Sequence, residues 1–369
     1  MNEIHNRSAL GDHDCGSTPA GRPLVVGIDA GGTRIRAYLA EAEAGAAGTG
    51  TGFGSGGVIG EGAGGPGNAM SVPRAELTRN LAAALGAAVP PELRPSVAAV
   101  LGGFAGAALD TGPDTGHDLA RSCLGAALAA TGIEAGKVAV RGDIEIAFAS
   151  APGMPADGLL LIAGTGAASA RITGRRQELT VDGDGWLLGD EGGGFWLGRE
   201  AVRAALRALT GRGPWTSLVG AVAEHYLAPD GDPAGRPALA GLPGPPGFAG
   251  PVEPADLRRL GRLRDVIVPL VYGQPPVRLA ALSPLVVAAD RAGDQVAGEL
   301  LDAAAAELGR TVAALRPEAG EPLVVTGGLL APAGPLLDRL SQRARAMGLR
   351  VVPVPDGGAG AVALARLLT

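Results

Sequence analysis

The sequence predicts an α/β protein made of two copies of one unit, each running βββαβαβα, facing each other across a cleft. Three observations carry that prediction. A short apolar run that ends in a Gly/Thr turn and continues as a second strand occurs at Leu24–Ala40 and again at Leu159–Ile172. The two turns lie 133 positions apart, counted from Gly31 to Gly164. Short β-like runs then alternate with longer Ala/Leu-rich helical patterns. Finally, 62 Gly and 29 Pro among 369 residues approach low-complexity composition, but 46% hydrophobic residues supply enough core for two domains. With only 3% aromatic residues, that core must be aliphatic and Ala-built.

Each element has its local reason. Leu24–Ile28 is an apolar strand run broken by Asp29-Ala30-Gly31-Gly32-Thr33, and Arg34–Ala40 returns with charged and apolar residues alternating. In the Gly-rich stretch Gly45–Gly67 only Val58-Ile59 reads as strand, and the stretch is longer than a hairpin requires. Ser71 is placed to cap a helix whose apolar face is Leu77, Leu81 and Leu85. A strand at Val97–Leu101, a helix at His117–Thr131, a strand at Lys137–Val140 and a helix opening at Asp143 complete the first unit. The second begins with Leu159–Ala163, the turn Gly164-Thr165-Gly166, and Ala168–Ile172. Helices follow at Trp196–Thr210 and Thr216–Leu227, then a Pro/Gly-rich loop at Pro229–Pro254. Leu279–Ala292 and Asp294–Leu315 are helical, with Gly293 as a stop and Asp294 as an N-cap. Strands at Leu323–Thr326 and Arg350–Val354 precede an apolar helix at Ala359–Leu368. The expected organisation is a disordered tail over 1–21, domains over 22–150 and 151–355, and a last helix over 356–369 packing back on the first domain.

A net charge of −6 gives no electrostatic footprint for nucleic acid or an anionic membrane surface. The only lysine, Lys137, is followed by Val138, so the Gly-Lys-Ser/Thr ending of a P-loop is absent. Cys15 and Cys123 form neither a disulfide framework nor a metal spacing, which fits a reduced cytoplasmic compartment. No apolar run reaches the roughly 18 residues of a membrane span, and Met1–Gly21 lacks a signal-peptide core. His117 and His225 have no metal spacing, and Trp186 and Trp196 read as core.

Phosphate chemistry is nevertheless written into the turns. Gly31 and Gly32 let backbone N–H groups converge on an anion, and the Thr33 hydroxyl adds a donor. Asp29 then faces the phosphates, which a hard cation such as Mg²⁺ between them would make tolerable. A tight hairpin with a capping Asp explains one such motif as well. Gly164, Thr165 and Gly166 repeat the chemistry, and two opposed grips are hard to obtain by accident.

The two hairpins, followed by Val324-Val325-Thr326-Gly327-Gly328, resemble the phosphate, phosphate, adenosine order of the sugar kinase/actin-like ATPase superfamily, with its ribonuclease H-like domains. Within it, Gly185-Trp186-Leu187-Leu188-Gly189-Asp190-Glu191-Gly192-Gly193-Gly194-Phe195-Trp196 resembles the signature of the N-acetylglucosamine kinase family, in the BadF/BadG-type ATPase group. The resemblance runs from about Pro23 to the C-terminus. It implies ATP and Mg²⁺ as cofactors and an amino sugar phosphorylated at its 6-hydroxyl. It assigns Asp143 as catalytic base, Asn68 and Asp190 as sugar contacts, Gly327 and Gly328 as the bare backbone under adenosine, and Asp29 to the metal through water. Family members often pair as homodimers. Independently, a sugar kinase needs a carboxylate within reach of the attacking hydroxyl, and Asp143 also stands where a helix N-cap belongs. Ala167 and Ala168 replace polar residues that acetamido-sugar kinases present, which leaves room for glucosamine or glucose. The same group contains the activating ATPases of benzoyl-CoA-type reductases, which bridge an iron–sulfur cluster with cysteines; the predicted folded part has one. A sugar-sensing protein without turnover is a third reading.

Overall fold

A computed structural model describes residues 22–43, 57–107, 116–227 and 254–369. The expected N-terminal tail, part of the Gly45–Gly67 stretch and the Pro/Gly-rich loop lie outside the described residues.

Each hairpin seeds a five-stranded sheet. β1 (Leu24–Ala30) pairs antiparallel with β2 (Ile35–Glu41), placing Asp29 opposite Arg36 and Ala30 opposite Ile35. β3 (Val58–Gly64) extends the meander, while β4 (Val97–Phe104) and β5 (Lys137–Gly142) add in parallel on the other side, giving β3-β2-β1-β4-β5. In the second half β6 (Gly158–Ala163), β7 (Ala167–Thr173) and β8 (Arg176–Asp182) form the meander. β9 (Pro322–Thr326) and β10 (Arg350–Pro353) add in parallel, giving β10-β9-β6-β7-β8. The two orders correspond strand for strand, so the predicted duplication is present.

In the first half α1 (Arg74–Ala88) and α2 (Gly116–Thr131) bury Leu77, Leu81, Leu85 and Leu124 against Val26, Ile28 and Val100. The opposite face is covered by α3 (Asp143–Ala149) and the C-terminal α10 (Gly358–Arg366), whose Ala361, Val362 and Ala365 pack with Val25, Leu101 and Ile146. Phe148 of α3 also packs with Leu160, Ala170 and Val324 of the second sheet. α3 is therefore wedged between the sheets, and losing the fully buried Phe148 ring would cost on the order of 3–5 kcal/mol. In the second half α4 (Gly194–Leu209) and α8 (Gln295–Ala314) cover β6 and β9. α5 (Leu218–Leu227), α6 (Pro254–Tyr272) and α7 (Ser283–Arg291) extend that layer, and α9 (Leu337–Ala346) connects β9 to β10.

Several expectations need correcting. β3 continues through Gly64 because Gly60, Gly62 and Gly64 turn bare backbone toward α1; a Cβ on Gly62 would lie 2.0 Å from the Ala84 carbonyl oxygen. The glycines that looked loose are what lets the helix approach. α1 begins after Pro73 with no side-chain cap, since a residue preceding proline is steered out of helical backbone. Leu279–Ala292 divides into a 3₁₀ turn, Pro276–Leu282, and α7. Thr216 and Ser217 precede α5 and bond Asp294 instead of joining the helix. The predicted N-cap role of Asp294 holds: its carboxylate accepts from Ala297 N at 3.0 Å. β8 and α9 were not predicted, because β8 is a largely polar edge strand without clean alternation and α9 buries only Leu340, Ser341 and Ala344.

Candidate active site

The first turn closes through Gly31 N–H donating to the Arg34 carbonyl at 3.0 Å. The second closes in the same way, with Gly164 N–H donating to Gly166 at 2.9 Å. Two of the expected phosphate donors are thus spent. The N–H groups of Gly32, Thr33, Thr165 and Gly166 remain without a backbone acceptor among the described residues. Gly32, Thr33 and Thr165 are exposed.

Asp29, one residue before the end of β1, is half-buried and accepts from Gly357 N at 3.2 Å. Burial, reinforced by the nearby Asp356 carboxylate and more weakly by Asp143, pushes its pKa up to about 6, while the Gly357 N–H and Arg36 oppose the rise. Arg36 Nη1 lies 3.1 Å from Asp356 Oδ2 and 3.9 Å from Asp29 Oδ2. Asp356 and Arg36 escaped sequence reasoning, although Asp356-Gly357-Gly358 after β10 repeats the Asp-then-glycines pattern of the first turn. No group of three or more His, Cys, Asp or Glu side chains among the described residues is arranged to hold a metal. Asp29 and Asp356 nevertheless suit a hard divalent cation. They are oxygen donors, mutually repelling and only partly neutralised by one guanidinium.

In the second half Asp182, another residue missed from sequence, organises the long glycine loop. Its Oδ1 accepts from Gly183 N and Asp190 N at 2.7 and 2.6 Å, and its Oδ2 accepts from Glu191 N at 2.9 Å. This holds Asp190 at φ 57°, a region non-glycine residues seldom occupy and one enriched at functional sites. The Asp190 carboxylate lies directly over Gly166 and accepts from Ala167 N at 3.3 Å. Burial, with Asp182 and Asp184 nearby, raises its pKa. Trp196 is buried as expected, whereas Trp186 is half-exposed and meets Phe195 with ring centroids 5.5 Å apart.

A cavity of about 640 Å³ joins the turns: Thr33 from the first, Gly164 and Thr165 from the second, Gly194 at the start of α4, and Gly328-Leu329 after β9. Ser283, Pro284, Val287 and Arg291 of α7 form its far wall, which no local motif announced. Gly327 takes φ 97° with its α-carbon against β6, where a Cβ would lie 2.3 Å from the Ala163 carbonyl oxygen. Asp29, Asn68, Asp143 and Asp190 do not line this cavity.

Asp143 is the first residue of α3, and Gly142 takes the N-cap position, so the expected capping role is not observed. Its Oδ1 accepts from Ile144 N at 2.9 Å. Burial pushes its pKa up. Asn68 Oδ1 accepts from Met70 N and Ser71 N at 2.8 and 3.1 Å, an Asx turn that occupies both lone pairs of the oxygen. Only its NH₂ group is left for a ligand, so the paired donor and acceptor expected of Asn68 reduces to a donor.

The profile of the BadF/BadG/BcrA/BcrD ATPase family matches residues 26–365. The chain belongs to that family. Among proteins of assigned activity, the N-acetylmuramic acid/N-acetylglucosamine kinase of Clostridium acetobutylicum is 35% identical over 85 residues, 23% of this chain. That match spans 28% of the relative's length. Two solved structures assigned as N-acetylglucosamine kinases share the fold of this BadF/BadG/BcrA/BcrD-type chain. The Porphyromonas gingivalis protein has a TM-score of 0.61 at 21% identity, covering 94% of this chain and 99% of its own. The Chromobacterium violaceum protein has a TM-score of 0.59 at 20% identity, covering 93% and 99%. Among the described residues no helix is long and apolar enough to cross a membrane.

Proposed function

We propose that this family member is an ATP-dependent kinase that transfers the γ-phosphoryl group to the 6-hydroxyl of an amino sugar, with N-acetylglucosamine or glucosamine as acceptor. The observation that carries the reading is the single cavity onto which Thr33, Gly164, Thr165 and Gly328 open, in a chain without a P-loop. Unpaired turn N–H groups suit the polyphosphate, and the exposed backbone at Gly328 suits the adenosine.

Asp143 is the base. Its burial raises its affinity for a proton, which favours taking the proton of the attacking hydroxyl as its oxygen bonds to the γ-phosphorus and ADP leaves. Asn68 donates to a sugar oxygen and Asp190 accepts from a sugar hydroxyl. Mg²⁺, held by Asp29 through water, would neutralise charge on the transferring phosphate. Closure of the two units, 22–150 and 151–355, excludes water so that transfer outruns hydrolysis.

An ADP-release screen over glucosamine, N-acetylglucosamine, N-acetylmannosamine and glucose tests this directly. Asp143→Asn should lower kcat by about 10²–10⁴ while ATP binding persists. ATP binding without ADP release on any of these sugars refutes the kinase reading. Sugar-independent hydrolysis would mark a partner-activating ATPase, a reading to which the buried Cys123 lends no cluster ligand.

A further inference from the structure

A cavity of about 240 Å³ lies beside the edge strand β5 and shares no lining residue with the cavity proposed for the nucleotide. His117 and Arg121 of α2, Arg141 of β5 and Arg176 at the start of β8 supply its polar lining. Three guanidinium groups thus converge on one small volume in a chain of net charge −6.

The charges are incompletely matched. Among the described residues Arg141 Nη1 is buried with no hydrogen-bond partner and lies 3.7 Å from Glu145 Oε2, which also has none. Glu145, with its side chain only 5% exposed, stands 3.8 Å from Arg176, and its Oε1 is taken by Gln177 N. One buried carboxylate therefore lies between Arg141 and Arg176, and Arg121 lines the same cavity. Asp118 stands 3.8 Å from His117 Nδ1 but is 95% exposed, so solvent screens it. Leaving a buried guanidinium N–H unsatisfied is costly, and the planar donors of arginine match the paired oxygens of a phosphate or carboxylate.

We propose that this cavity binds a small oxyanion, a phosphate monoester or a carboxylate, through Arg121, Arg141 and Arg176. Arg121 and Arg141 belong to the first half and Arg176 to the second, so the bound anion ties the halves together. Arg141 stands two residues before Asp143, so occupancy bears on the proposed base. The site stands independently of the kinase reading.

Calorimetric titration of the full chain with inorganic phosphate tests it, first alone and then with the nucleotide cavity saturated by a non-hydrolysable ATP analogue. The wild type should bind one phosphate per chain in the presence of the analogue, and R121Q/R176Q should bind it at least about tenfold more weakly. Both replaced side chains are solvent-accessible, and an unchanged melting temperature in chloride confirms the fold. R176Q alone provides a second variant and should show the same direction. Equal affinity in wild type and variants, or no binding to the wild type at about 10 mM phosphate, overturns the proposal. Repeating the titration with glucose 6-phosphate and with acetate distinguishes a phosphate monoester from a carboxylate as the source of the anion.

Discussion

Gly166→Ala probes the junction between the second turn and Asp190. Gly166 has no positive φ, so a Cβ adds no backbone strain and acts only through contact. That Cβ would lie 2.5 Å from Asp190 Oδ2, 2.6 Å from Cγ and 2.7 Å from Oδ1. Since ordinary contact begins at 3.4 Å, the carboxylate must recede by about 0.9 Å. Its bond from Ala167 N, already 3.3 Å long, is lost, at a cost of about 0.5–1.5 kcal/mol in stability. If Asp190 positions the acceptor, a displacement of this size lowers acceptor kcat/KM by up to ~10²-fold. The assay is steady-state ADP release against sugar concentration, with Asp190→Asn measured alongside and circular dichroism to verify folding. A folded Gly166→Ala protein with wild-type acceptor kcat/KM would refute the placement of Asp190 at the acceptor.

Three further outcomes follow from the same geometry. Gly327→Ala must accommodate both a left-handed φ and a Cβ 2.3 Å from a backbone oxygen, so it should destabilise by at least about 1–3 kcal/mol and weaken ATP binding, read by thermal melting and titration. Asp29 has a folded pKa raised to about 6, so the folded state holds its proton more tightly than the unfolded chain and stability falls as pH rises from about 4 to 6. Asp29→Asn should therefore raise the melting temperature of the nucleotide-free protein at pH 7.5, by up to about 3 kcal/mol in stability, while weakening Mg²⁺-dependent ATP binding. Asp294 accepts from Ala297 N, Thr216 Oγ1, Ser217 N and Ser217 Oγ, which hold its pKa below the usual carboxylate range. Asp294→Ala should cost about 1–2 kcal/mol in chemical denaturation with acceptor KM unchanged.

Much of the fold was readable because it is local. The Asp29–Thr33 and Gly164–Gly166 turns announce themselves through glycine, and Leu77, Leu81 and Leu85 through helical spacing. β8 was not readable, since this edge strand has no fully buried residue on either face and so no apolar alternation to display. Gly60, Gly62 and Gly64 misled because glycine carries the same letter whether it loosens a loop or admits a helix.

The sequence by itself determined the duplicated hairpins, the absence of a lysine-based phosphate loop, and the place of Asp29 beside the first turn. These depend on residue type and short spacing. Only the tertiary structure decided which groups share an electric field. Asp356 meets Asp29 and Arg36 from the opposite end of the chain, α7 walls the cavity between the two turns, and Asn68 loses its acceptor to an Asx turn. Electrostatic and steric coupling depends on distance through space, and residues 320 positions apart in the chain leave no local pattern to record their meeting.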